Sequence, residues 1–199
     1  MPAEVPERTR IMDAAYRRLT AHDGGVSVTD ILTTAGLSTR AFYRHFESKD
    51  SLLLAMYRQD GERVLAELRR AAAAAGSPRA ALHAWIDGLI TLTAHSRRRR
   101  RVTLMTSPEL MRAEGFTAER AHVMAGHQAA IAEIVRDGLR DGSFPAAKPD
   151  ADARSILAVL IEAFTEQMTR GATVSAATAV DEVTDFAFRA LGAASREPA

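Results

Sequence analysis

The sequence contains no cysteine, and this absence is the first constraint on its chemistry. Without thiols the chain has no disulfide, no thiolate zinc site and no thiol-based redox sensor. No run of 18 consecutive apolar residues occurs, although a membrane-spanning helix requires one, and the acidic start lacks the apolar segment of a secretion signal. We therefore expect a cytoplasmic protein that does not use a membrane as a partner.

Aromatic residues and lysines are also scarce. Aromatics make up 6% of the 199 residues and hydrophobic residues 47%, so aliphatic side chains and alanine must fill the core. The only lysines are Lys49 and Lys148. The net charge of +1 depends on the run Arg97–Arg101, without which 21 basic side chains would face 25 acidic ones. Overall charge therefore does not predict nucleic-acid binding, and that case rests on local arrangement.

The hydrophobic spacing is helical along the whole chain, which predicts an all-α fold of about nine helices. We expect two domains, residues 1–50 and residues 51–199, with the fourth helix (about 48–75) linking them. The expected helices span about 6–21, 28–35, a short segment after Gly36, 48–75, 79–96, 102–113, 117–140, 150–170 and 175–191.

Residues 35–49 are the most informative segment. A helix that begins with the capping-box pair Ser27 and Asp30 ends at the turn residue Gly36. A short helix follows, and Ser48 caps the start of the next one. This order of elements is typical of a helix-turn-helix, in which the second helix enters the major groove of DNA.

The short helix has two different faces. Phe42 and Phe46 are four residues apart, so they share a face that we expect to pack against the first two helices. Arg40 and Arg44 share another face, where the arginine fork suits guanine and neighbouring small side chains suit a thymine methyl. For either arginine alone, a solvated surface is the alternative interpretation. The predicted DNA-contacting residues are Thr29, Ser38, Thr39, Arg40, Ala41, Tyr43, Arg44, His45 and Lys49.

Residues 26–57, VSVTDILTTAGLSTRAFYRHFESKDSLLLAMY, resemble the N-terminal signature of TetR-family transcriptional regulators. The resemblance implies a three-helix DNA-binding domain, a linking fourth helix, and a bundle that binds a ligand and dimerises. By position it implies base contacts by Thr39, Arg40, Ala41 and Arg44, and backbone contacts by Thr29, Tyr43, His45 and Lys49. The function it implies is a repressor that binds palindromic operator DNA as a homodimer and is released by a small-molecule effector.

The eighth expected helix is apolar over so wide an arc that it should be buried on two sides. One stripe contains Ile156, Leu160 and Ala163, and the other contains Leu157, Ile161, Phe164 and Met168. We expect one side to face a partner subunit, and the last helix to add to it; the alternative is a central helix in a monomer. The predicted dimer interface is Ile156, Leu160, Ala163, Val180, Val183, Ala187 and Leu191.

Candidates for a ligand pocket are large side chains that also fit an ordinary core. A pocket with few polar groups favours a hydrophobic or aromatic effector. The candidates are Trp85, Ile86, Leu89, Met105, Phe116, His122, Met124 and Phe164. His122 and His127 are five residues apart, which is poor spacing for one metal on one helix face, so we expect no metal.

No nucleophile elbow, phosphate-binding glycine loop or metalloprotease motif occurs in the sequence. We therefore expect no cofactor and no enzyme activity. The alternative to the DNA-binding interpretation is a small all-helical ligand-binding protein or enzyme that does not act through DNA. The run Arg97–Arg101 fits either a solvated helix C-terminus or added attraction to DNA phosphate.

Overall fold

A computed structural model describes residues 5–21, 26–94, 107–168 and 172–193. Within these residues the regular structure is entirely helical, so the expectation of an all-α fold is confirmed. A short 3₁₀ turn, Thr91–Ala94, follows the fifth helix. The helices of the described part are α1 Glu7–Ala21, α2 Val28–Ala35, α3 Thr39–Tyr43, α4 Lys49–Ala73, α5 Pro78–Ile90, α6 Pro108–Met111, α7 Phe116–Asp141, α8 Pro149–Met168 and α9 Ala176–Ala190.

Serine side chains determine where many of these helices begin. In each case the hydroxyl accepts a hydrogen bond from the backbone N–H three residues later, which satisfies one of the free amides of the first turn. In α5 and α6 a proline follows the cap at the first helical position, where its missing N–H costs nothing. The capping serines are Ser27, Ser38, Ser77, Ser107 and Ser175.

Two helices differ from the expected lengths. Helix α5 ends at Ile90 rather than near residue 96. The Thr91 hydroxyl donates to the carbonyl of Asp87 over 2.7 Å, and such local side-chain bonds compete with continued helix. Of the helix expected over about 102–113, the described residues contain α6, Pro108–Met111, which ends before residue 113. Met105 and the run Arg97–Arg101 lie outside the described residues.

The chain forms two compact units whose boundary differs from the one expected near residue 50. The first, here called the head, is Met1–Gly61 with Ser96–Ala121, and the second, here called the bundle, is Glu62–His95 with His122–Ala199. The head gains α6 and the start of α7 because these segments are tied to the first half of α4. There the Asp50 carboxylate accepts from the backbone N–H of Glu114 over 3.0 Å.

Aromatic and ionic contacts complete this attachment within the head. The rings of Tyr57 and Phe116 meet edge to face with centroids 5.4 Å apart. The Arg58 guanidinium donates to both carboxylate oxygens of the buried Glu119, with Nε–Oε1 at 2.8 Å. Phe116, a predicted pocket residue, therefore belongs to the packing of the head.

The two units have separate cores. In the head, fully buried side chains from α1 to α4 surround the short helix α3. In the bundle, α5 packs against α8 and α9. Large fully buried head residues include Ile11, Ile31, Phe42, Leu52 and Met56, and those of the bundle include Leu82, Trp85, Ile86, Ile90 and Phe144.

Candidate functional site

The turn between α2 and α3 is fixed by backbone and side-chain hydrogen bonds. Gly36 caps α2 in the left-handed conformation, with φ of 63°, where a side chain would be strained. The Leu37 N–H donates to the carbonyl of Leu32 over 3.1 Å. From α1, Arg10 Nη2 donates to the carbonyl of Ala35 over 2.8 Å. Helix α1 therefore satisfies the C-terminal end of α2 and fixes the point at which α3 begins.

Helix α3 exposes one side and buries the other. Successive residues of an α-helix are about 100° apart, so residues 39, 40, 43 and 44 occupy one arc of roughly 140°. Thr39, Arg40 and Tyr43 on this arc are exposed. Phe42 points the other way and is fully buried. The exposed arc is the surface that a short helix needs in order to contact base edges.

Ala41 is a correction to the predicted contact set. Its position falls inside the buried arc, and it is only 2% exposed. Its methyl group packs in the head and is not available to a thymine methyl. Its backbone N–H is also occupied, because it donates to the Ser38 hydroxyl over 3.2 Å.

Two hydroxyl-bearing residues flank the exposed arc. Ser38 is exposed and serves as the N-cap of α3. Thr29 is exposed in the first turn of α2 and lies beside the capping box formed by Ser27 and Asp30. Both residues lie at helix N-termini, which suit phosphate oxygens. Their contacts with DNA stay predictions.

A carboxylate from the start of α1 holds two of the predicted DNA-contacting side chains. Arg44 Nη2 lies 2.9 Å from both carboxylate oxygens of Glu7. His45 Nε2 lies 3.1 Å from Oε2 of the same carboxylate. The hydrogen bond from His45, followed by the charge of Arg44, lowers the pKa of the Glu7 carboxyl below its ordinary value. Glu7 is therefore ionised and holds Arg44 and His45 together.

Lys49 has a carboxylate partner as well. It forms an ion pair with Glu109 of α6, and the side chains are 30% and 22% exposed. Arg40 differs, because no ion pair to it occurs among the described residues. Sequence reasoning missed both carboxylates, because Glu7 and Glu109 lie 37 and 60 residues from their partners.

Buried aromatic contacts support the exposed arc from behind. The Phe42 and Phe46 ring centroids are 5.7 Å apart, and Phe42 meets Tyr43 edge to face at 5.4 Å. The Arg8 guanidinium lies 5.4 Å from the Phe46 ring. Tyr43 is therefore positioned by Phe42, although Tyr43 itself is 60% exposed.

The bundle contains a cavity of about 500 Å³ that Trp85 borders. Its apolar lining includes Ala81, Ala130 and Ile134, and its polar lining includes Arg69 and Glu133. The volume lies within the usual range for small-molecule sites. Of the candidate pocket residues, Trp85 borders this cavity, and Ile86 and Leu89 are buried core residues.

His122, which was predicted to line a pocket, is a second correction. His122 is exposed, whereas His127, five residues later on α7, is 3% exposed and packs edge to face on Trp85 at 5.8 Å. Burial, with a smaller contribution from the charge of Arg69, lowers the pKa of His127 to about 4. His127 is therefore neutral at pH 7. Met124 and Phe164 are partly exposed.

The predicted dimer interface is a third correction. Ile156 and Leu160 of α8 are 1% and 0% exposed in the single chain. The α9 residues Val180, Val183 and Ala187, together with Leu191, are at most 4% exposed. These side chains fill the bundle of their own chain, so they are not available to a partner, and only Ala163 of the predicted set is partly exposed. The other stripe of α8 contains the partly exposed Ile161, Phe164 and Met168.

Within the described residues, no group of three or more His, Asp or Glu side chains is arranged to hold a metal ion. None of the described helices is both long enough and apolar enough to cross a bilayer.

Comparisons with known proteins agree with the geometry of the head. Residues 11–56 match the family described as bacterial regulatory proteins, tetR family. The chain is 28% identical over 141 residues to the HTH-type transcriptional regulator UidR of Escherichia coli (strain K12), which covers 68% of this chain and 66% of UidR.

Solved structures share the complete fold. A putative transcriptional regulator from Pseudomonas aeruginosa PAO1 is 20% identical, with a TM-score of 0.76 over 93% of this chain and 90% of its own. The transcriptional regulator FadR from Bacillus subtilis, solved with stearoyl-CoA, is 15% identical, with a TM-score of 0.74 over 92% of this chain and 98% of its own.

A capped helix-turn-helix, packed on a supporting first helix and continued by a helical bundle, defines the class as helix-turn-helix regulators. Within that class, the chain is similar to the tetR family of bacterial regulatory proteins, whose model matches residues 11–56.

Proposed function

We propose that this protein represses transcription by binding palindromic operator DNA as a homodimer, and that a small effector releases it. The exposed arc of α3, with Thr39, Arg40 and Tyr43 facing solvent, carries the proposal. A buried aromatic side keeps this arc in place, as readout of base edges requires. The protein acts in the cytoplasm and is not an enzyme in this proposal.

Binding to DNA from upstream of the protein's own gene tests the proposal, with fluorescence anisotropy as the measurement. We expect Arg40→Ala and Arg44→Ala to cost about 1–3 kcal/mol each at particular bases. A panel of single-base operator variants locates those bases, because the affected position should lose its preference. Equal losses on every duplex would contradict the assignment of Arg40 and Arg44 to base readout.

The homodimer is proposed on the partly exposed stripe of α8. Ile161, Phe164 and Met168 are spaced by three and four residues, so they form one line on the helix. Their partial exposure leaves apolar surface that a second copy would cover. A two-fold dimer also fits the palindromic half-sites that helix-turn-helix dimers recognise.

A single charge on this stripe tests the dimer. We expect Phe164→Glu to give monomers in analytical ultracentrifugation, because an unpaired charge would be buried at the interface. Ala158→Glu is the matched control, since Ala158 is exposed on the same helix. A dimer that survives Phe164→Glu would rule out this stripe as the interface.

The cavity beside Trp85 supports a small-molecule effector. The lining is mixed: its alanines and Ile134 suit an apolar body, and Arg69 and Glu133 offer polar partners. The related FadR from Bacillus subtilis was solved with stearoyl-CoA, whose acyl chain is apolar. The chain contains one tryptophan, so a ligand that enters this cavity should change the intrinsic fluorescence of Trp85.

Release requires only that the effector binds one state of the dimer more tightly than the other. Typical allosteric coupling is about 1–3 kcal/mol. An effector found by thermal shift should therefore weaken operator binding by about 5- to 150-fold. A ligand that binds beside Trp85 and leaves operator affinity unchanged would contradict its role as effector.

A further inference from the structure

Glu7 comes from outside the helix-turn-helix and occupies its cationic groups. It lies in the first turn of α1, while Arg44 ends α3, 37 residues later. Both carboxylate oxygens of Glu7 contact Arg44, and one also contacts His45. A carboxylate in this position presents Arg44 with the same charge-assisted hydrogen bonds that a DNA phosphate offers.

A simpler role for Glu7 is to stabilise α1, because an acidic side chain in the first turn complements the helix dipole. That role requires no contact with another helix. Here the carboxylate is directed to Arg44 and His45, and its lowered pKa has the His45 hydrogen bond as its largest cause. The carboxylate of Glu7 therefore contacts the cationic end of α3 in addition to any effect on the dipole of α1.

We propose that Glu7 limits the affinity of the head for DNA by acting as an internal substitute for DNA phosphate, which a duplex must displace before it can bind Arg44. This inference rests on the proposed DNA-binding function. Any duplex that engages Arg44 must break the contacts with Glu7. An operator offers Arg44 a bidentate contact with a base in addition to the backbone, whereas unrelated DNA offers the backbone alone. The cost of breaking the contacts with Glu7 is the same in both cases, so Glu7 weakens the binding of every duplex that engages Arg44.

Arg40 provides an internal contrast. It lies on the same exposed arc, and no carboxylate among the described residues pairs with it. Glu7 should therefore affect binding through Arg44 and leave the contribution of Arg40 unchanged. This difference separates a specific competitor from a general effect of negative charge near DNA.

The experiment compares Glu7→Gln with Glu47→Gln in the full-length protein. Both variants remove one negative charge from the head, and Glu47 is an exposed residue between α3 and α4. Binding is measured by anisotropy on an operator duplex and on a scrambled duplex of the same length, at several salt concentrations. Thermal unfolding is measured in parallel, because loss of the dipole interaction should slightly lower the stability of Glu7→Gln.

We expect Glu7→Gln to bind the scrambled duplex about two- to fivefold more tightly, the range that the strength of exposed ion pairs allows. The operator should tighten by at least the same factor, because both duplexes are relieved of the same cost. The salt dependence on scrambled DNA should steepen, since one more cation is free to displace counterions. Glu47→Gln should change both affinities by a smaller factor, which does not depend on Arg44.

The background Arg44→Ala completes the test. There Glu7→Gln should lose most of its effect, whereas in an Arg40→Ala background the effect should persist. Equal shifts in Glu7→Gln and Glu47→Gln would overturn the proposal, and so would weaker binding by Glu7→Gln on both duplexes. A wild-type protein that binds both duplexes equally would contradict the proposed function, while the scrambled duplex would still show whether Glu7 competes.

Discussion

The head and the bundle differ in the polar groups that bear on the proposed function. In the head, the cations predicted to contact DNA lie at the surface, and Arg44 and Lys49 each have a carboxylate partner. In the bundle, Trp85 Nε1 and His127 Nδ1 are buried with no hydrogen-bond partner in the described part of the chain. Surface ion pairs exchange partners at low cost, whereas a buried unpaired group costs about 1–3 kcal/mol.

Because of this difference, we expect the head to act through its surface and the bundle through its interior. The head can replace Glu7 or Glu109 with a phosphate without rearranging its core, so its chemistry belongs to the surface. Trp85 Nε1 and His127 Nδ1 lie inside the bundle, so a ligand that pairs with them would act on its interior. The head is therefore suited to contact a large partner, and the bundle to respond to a small one.

The largest effect should come from removing the aromatic support of the head. Phe42→Ala leaves a cavity under α3, since Phe42 is fully buried against Phe46 and Tyr43. We expect a loss of about 3–5 kcal/mol in the free energy of unfolding, measured by urea denaturation. Tyr43→Ala is the control, because Tyr43 is 60% exposed and should change stability by about 0.5 kcal/mol or less. Similar losses in both variants would contradict the two-sided description of α3.

The next prediction concerns the pH dependence of stability that the buried His127 of the bundle causes. Because the pKa of His127 falls to about 4 when the protein folds, the unfolded chain binds more protons between its ordinary pKa of 6.5 and pH 4. The stability of the folded state therefore declines as the pH falls through that window. The total loss from this group is about 3 kcal/mol, at about 1.4 kcal/mol for each unit of pKa shift.

The variant His127→Gln cannot titrate, so its unfolding free energy should lack this part of the decline between pH 6.5 and pH 4. His122→Gln is the matched control for the loss of an imidazole, since His122 is exposed on the same helix. Urea denaturation at several pH values provides the measurement. A profile for His127→Gln that parallels the wild type would contradict the buried, neutral state of His127.

A smaller effect concerns the packing of the bundle at α7. A Cβ atom on Gly138 would clash with the ring of Phe144, which is fully buried. Alanine normally favours a helix over glycine, but here we expect Gly138→Ala to cost about 1–3 kcal/mol in unfolding free energy. Gly76→Ala is the control, because a Cβ there meets no atom within 4 Å. A stabilised Gly138→Ala protein would show that Phe144 can repack.

The head was largely predictable because its signals are local. The caps at Ser27 and Ser38 and the turn at Gly36 are determined by residues within a few positions of each other. Ala41 was misplaced because its inward direction depends on how the five-residue helix packs on α1 and α2. The carboxylates of Glu7 and Glu109 could not be found from the sequence, because folding alone brings them to their partners.

The bundle was less predictable because helical periodicity identifies apolar stripes without naming what covers them. Both stripes of α8 fit the sequence equally well, and the structure shows that Ile156 and Leu160 fill the chain's own core. In the same way, His122 and His127 differ in burial because of how α7 is rotated against α5. Tertiary packing determines which stripe of α8 and which histidine of α7 are buried, and no short sequence motif predicts it.

The smallest effect should come from Lys49. Removing one phosphate contact lowers the slope of log affinity against log salt by about 0.9. Because Glu109 already neutralises part of the Lys49 charge in the free protein, we expect Lys49→Ala to lower the slope by less than this, equally on operator and scrambled DNA. Lys148→Ala is the matched control, since the only other lysine is exposed in the bundle and should leave the slope unchanged. If Lys49→Ala instead removed a preference at one base, Lys49 would read sequence, and the division of the head into base-contacting and phosphate-contacting cations would be wrong.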